Sequence, residues 1–161
     1  MLSYVQDSLT RFNHSRPHKP QHQPYPHAKT TYVDKAQYAT ADDNSQLLSP
    51  IVKKFIQEVS GNFLYYDRTI DATMLHALRL LATQHAAPTK NTMTLVKQFL
   101  DYATTHPDAI IMYHASYMVL SAHSDTSYLS ESKARSRAGG HFFMSNDSPI
   151  PTNIGAVVTI S

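Results

Sequence analysis

Asp125 stands at the end of the apolar run "MVLSAH". A carboxylate in that place is costly unless it is paired or holds a cation. Two readings fit the residues equally well: a metal-binding or catalytic acid at the end of a core strand, or a turn aspartate capping a loop. Downstream, Lys133, Arg135 and Arg137 alternate with Ser132 and Ser136 in "SESKARSRAGG". They read as a polar loop before the next strand. Such a loop is either a solvated hairpin or a phosphate-contacting edge beside Asp125. Gly139 and Gly140 suit a bulge or the close approach of another backbone. His141, beside Phe142, reads as a half-buried strand histidine.

Two further groups of residues invite a chemical reading. His14, His18, His22 and His27 are spaced like ligands on one helix face. The prolines between them forbid that helix, which favours a polar linker over a metal site. Lys53, Lys54, Arg68, Arg79, Lys90 and Lys97 fall within helical patterns. They form a solvated face, or grip a phosphate backbone through counterion release.

The elements that position these residues follow from periodicity. Residues 1–12 carry Tyr4, Val5, Leu9 and Phe12 at helical spacing, in a helix too short to stand alone. Residues 13–48 are rich in Pro, His, Gln and Thr and read as a disordered linker. Ser49 is an N-cap and Pro50 a first helical residue. Val52, Phe55, Ile56, Val59, Phe63 and Tyr66 then recur at helical steps. A second helix starts at Asp71 and a third at Thr89, ending before Pro107. Phe55, Val59, Leu78, Phe99 and Leu100 are expected inside this bundle. From there the period becomes that of strands: "AIIMYHA", "YMVLSAHSD", "AGGHFFMSN" and "GAVVTIS". The expected class is α+β, a small helical bundle followed by an antiparallel β-meander. The expected divisions are 1–48, 49–107 and 108–161.

Bulk properties set limits. The chain has 161 residues, which suits one domain or two small pieces. Its net charge of +2 permits nucleic-acid contact without arguing for it. The absence of cysteine removes disulfides, thiolate zinc sites and cysteine nucleophiles together. No apolar run approaches the ~20 residues that span a bilayer, and the first residues lack a signal-like apolar core. The expectation is an intracellular protein, cytoplasmic or nuclear, without membrane contact or an evident small-molecule substrate.

"HSDTSYLSESKARSRAGGHFFMSN" resembles the start of the ribonuclease H domain in copia-type retrotransposon polyproteins. In the same family, "LSYVQDSLTRFNHSRP" resembles the exit from the polymerase palm, "VSGNFLYYDRTIDATMLHAL" the segment after the palm, and "KQFLDYATTHPDAIIMYHA" the stretch leading into the ribonuclease H strands. The likeness covers most of the chain and is strongest over 117–145. It implies that residues 49–106 are a thumb-like or connection segment, and that the meander is the first three strands of a ribonuclease H fold. It also implies that Asp125 matches the first Mg2+-binding carboxylate and that the partner is an RNA–DNA hybrid or DNA. Thr126 stands where the family usually has Ala. The family's second acid lies on a helix after the third strand, and this sequence ends at Ser161, before such a helix. Glu131 and Asp147 do not match that acid. The resemblance therefore implies a reverse transcriptase/ribonuclease H fragment that does not hydrolyse by itself and binds nucleic acid weakly at most. The alternatives are a small helical interaction module retained from a retroelement, or a hybrid nuclease completed by another chain.

Overall fold

Proline at the start of a helix and a serine just before it fix where the longest element begins. In a computed structural model, which describes residues 3–26, 43–131, 135–148 and 156–160, Ser49 is extended and its Oγ accepts from the Val52 amide. Helix α2 then runs Pro50–Thr69, after α1 over Tyr4–Arg11. Its inner face is Ile56, Val59, Phe63 and Tyr66, all buried. The Asp71 side chain accepts from the Thr73 amide and opens a short 3-10 turn, Ala72–Met74, which feeds α3, Leu75–Thr83. Thr89 and Thr92 exchange side-chain and backbone bonds in a capping box at the start of α4, Lys90–Thr105. His106 ends that helix ahead of Pro107, whose ring disfavours helical backbone before it.

The helices close one apolar cluster. Phe63 meets Phe99 edge-on at 5.1 Å, and Leu78, Leu81, Val96, Leu100 and Ala103 fill the space around them. Of the expected core residues, Val59, Leu78, Phe99 and Leu100 are buried, and Phe55 packs half-buried at the margin. Helix α1 belongs to the same cluster through Val5, Leu9 and Phe12. The Tyr4 hydroxyl donates to the Asn62 carbonyl at 2.9 Å, and its ring stacks on Tyr66. Position 48 is thus not a packing boundary, because the first helix completes the bundle.

The Pro-rich stretch needs a correction where it is described. Residues 14–26 form neither helix nor strand, as their prolines dictate, but they are not detached. His14 Nε2 lies 2.8 Å from Asp101 Oδ1, the Gln21 amide donates to Thr105 Oγ1, and Gln98 donates to the Gln23 carbonyl. Tyr25 packs on the apolar cluster and against His76. An extended backbone cannot satisfy its own polar groups, and here α4 supplies partners. The remainder of the expected linker, 27–42, lies outside the described residues.

The strands also differ from the expected pattern. "AIIMYHA" is not a strand; residues 106–118 have no regular structure, and Ile110, Met112 and Tyr113 are exposed. Apolar content alone does not make a strand without a ladder partner. The sheet begins after Met118, whose φ of 61° turns the chain. β1 is Val119–Glu131, β2 Arg135–Ser145 and β3 Ala156–Ile160, antiparallel in the order β1-β2-β3. His123 opposes His141, Asp125 opposes Gly139, and His141 opposes Thr159. The class is therefore mixed α and β, with a small antiparallel meander following the helices. Phe143 is buried but lies outside the helical cluster. Arg79 reaches the sheet by donating to the Ala138 carbonyl at 3.4 Å. Among the described residues, no helix is long and apolar enough to cross a membrane.

Candidate functional site

The pleat of β1 places Ser121, His123 and Asp125 on one face, because successive side chains alternate. The same face of β2 carries Gly139, His141 and Phe143, and β3 adds Thr159. The His123 ring meets Phe143 edge-on at 5.1 Å, and His141 lies over it at 5.5 Å. His141 Nδ1 is 3.0 Å from Thr159 Oγ1. A row of imidazoles thus shields a buried phenylalanine, with Asp125 one step further along the strand.

Asp125 is exposed and sits inside β1, not at the end of a buried strand. Water solvates it, so the expectation of a costly buried acid does not hold. Its Oδ1 accepts from the Thr126 amide at 2.8 Å. Glu131 lies six positions along the extended strand, which at ~3.3 Å per residue puts it roughly 20 Å away. Asp147 follows Ser145, which opposes Val119 at the other end of β1, at a similar remove. Two-metal hydrolysis needs ions about 4 Å apart, held by converging carboxylates. One exposed acid does not fit that group. Among the described residues there is also no cluster of three metal-ligating side chains.

The expected basic loop is corrected as well. Arg135 and Arg137 belong to β2, opposite Glu131 and Ser127, because the hairpin extends further than turn residues suggested. Lys133 lies outside the described residues. The histidine series is dispersed: His14 faces Asp101, His22 lies 3.1 Å from His106, and His18 is exposed. His27 lies outside the described residues.

The structure adds two features that the sequence reading did not single out. Asp67, on the inner face of α2, is 1% exposed, and neither oxygen has a hydrogen-bond partner of normal geometry. Burial pushes its carboxyl up to about 7, Asp71 adds to the rise, and Arg68 and the Met74 amide offset only part. It lines a pocket of about 240 Å3 with Arg68, Tyr113, Val158 and Thr159. The only sequence signal was its place four residues after Phe63, on the apolar stripe.

A second pocket, of about 490 Å3, lies between α2 and α3, with Gly61, Leu64 and Leu78 among its lining residues. There His85 Nε2 approaches Ser60 Oγ at 3.0 Å. Burial and Lys53 both lower the His85 pKa, which favours the neutral ring. Ser60 donates its proton to the Ile56 carbonyl at 2.9 Å, so the imidazole donates to the hydroxyl. This pair is a structural tie and not an activated nucleophile, which would need the opposite direction.

No protein-family model, curated protein or solved structure proved similar to this chain.

Proposed function

We propose that the chain is a segment of a copia-type reverse transcriptase/ribonuclease H polyprotein that contacts nucleic acid weakly and does not hydrolyse it alone. The observation that carries this reading is the placement of Asp125. It lies exposed inside the first strand of an antiparallel three-strand meander, opposite a glycine, with no second carboxylate beside it among the described residues. A helical bundle precedes the meander, in the order that the resemblance implies.

The chemistry follows from that geometry. A lone exposed carboxylate holds Mg2+ loosely, with most of the shell still water. It neither fixes a second ion nor orients an attacking water. Binding rests instead on exposed cations such as Lys54, Lys90, Lys97 and Arg68, which are spread over the helices. Scattered cations give contacts that salt displaces and that do not read sequence.

The test is to incubate the purified chain and its Asp125→Asn variant with Mg2+ and a labelled RNA–DNA hybrid, and to titrate binding by fluorescence anisotropy. We expect no Asp125-dependent cleavage, and binding that fades between low and physiological salt. Cleavage that is lost in the variant would replace this reading with a nuclease completed by another chain. Complete absence of binding at low salt would leave the nucleic-acid role without support.

A further inference from the structure

We propose that the outer edge of β1 is a self-association surface, on which a second copy of this chain pairs its own β1 antiparallel about a two-fold axis at Ser124. β1 is the first strand in the sheet order, so only one of its edges is used by β2. Among the described residues no strand or helix pairs with the other edge. Protective devices of natural edges are proline, lysine and other charges, bulges, short length and covering elements. β1 is 13 residues long, "VLSAHSDTSYLSE", with neither proline nor lysine, and its register with β2 is continuous from Val119 to Ser127, with an irregularity only between Ser127 and Glu131. The Thr126 amide donates to the side chain of its own neighbour, Asp125. An open edge of this kind is a template for another chain.

The sequence around Ser124 is self-complementary in this register. A two-fold axis through Ser124 sets His123 opposite the second copy's Asp125, and Asp125 opposite its His123. Both residues are exposed and share one face. An imidazole and a carboxylate directly opposite one another attract, and symmetry makes the contact twice. Ala122 opposes Thr126, and Ser121 opposes Ser127. Moving the axis by one residue destroys this match. Centred on Asp125 it sets the acid against itself, and centred on His123 it sets Asp125 against Ser121. The chemistry therefore selects both the partner and the register. It also gives β1 a use that does not depend on catalysis by Asp125.

The experiment is sedimentation velocity of the full chain over a concentration series, with far-ultraviolet circular dichroism to confirm that each variant is folded. The wild-type chain should form a dimer that dissociates on dilution. His123→Asp sets acid against acid twice and should weaken the dimer about tenfold. The double variant His123→Asp/Asp125→His exchanges the two partners and should restore it. Ser124→Lys places two like charges at the axis and should abolish the dimer. All three positions are exposed, so the fold should survive each change. A monomer at every concentration overturns the proposal. So does a dimer that ignores Ser124→Lys, or a double variant no tighter than the single one.

Discussion

Asp67→Asn should make this protein more stable at neutral pH and leave it almost unchanged in acid. The wild-type carboxylate is 1% exposed and has no hydrogen-bond partner of normal geometry, and its folded-state pKa is pushed from 3.8 up to about 7. Below pH 3.8 both folded and unfolded chains hold the proton, so the site carries no electrostatic cost. Between 3.8 and about 7 the unfolded chain releases the proton while the folded chain keeps it, and stability falls as pH rises. Above that window both states are ionised and the full cost remains. At about 1.4 kcal/mol per tenfold change, the ceiling is about 4 kcal/mol. The neutral amide avoids this cost but still buries polar atoms, so a gain of about 2 kcal/mol at pH 8 is expected. Chemical denaturation at pH 4 and pH 8, for both chains, gives the difference directly. Other titrating groups cancel in that difference. The reasoning is refuted if the two chains differ equally at both pH values, or if the variant is the less stable at pH 8.

Leu78 is 2% exposed within the helical cluster, so Leu78→Ala should cost on the order of 2–5 kcal/mol, read from the urea midpoint at constant slope. A change near zero would sink the packing described for α3. Thr89→Val keeps the volume but removes the cap of α4 and a hydroxyl that also bonds Asp43. It should cost about 1 kcal/mol in the same assay, and a neutral result would mean the box contributes nothing.

What the sequence revealed was what local chemistry decides. Ser49–Pro50, Asp71 and Thr89 mark helix starts because capping is a short-range bond. The spacing of Val59, Leu78, Phe99 and Leu100 identified buried faces because a helix repeats regularly. Long-range pairing was not legible. Nothing near His14 announces Asp101, and nothing in "AIIMYHA" shows that it lacks a ladder partner. Asp125 was found, but its exposure depends on which side of the strand is covered, and that is a tertiary fact. At Asp67 an acid in a helical core position reads as an interruption of the pattern. Its lack of a hydrogen-bond partner of normal geometry becomes visible only once the surrounding chain is folded around it.

Phe143 is buried beside the imidazoles and not within the helical cluster, and that separation bears on how the molecule fluctuates. The helical apolar cluster contains no strand residue, although β3 helps to line the pocket beside Asp67. The bond from Arg79 to Ala138 and the meeting of α2 with β3 beside Asp67 join the two parts. Opening the sheet therefore exposes little of the helical interior, and it requires less free energy than global unfolding. The two parts are therefore expected to open as separate cooperative units. A ligand that grips the strands stiffens them and transmits little to the helices, because coupling needs shared packing through which one part can bias the other.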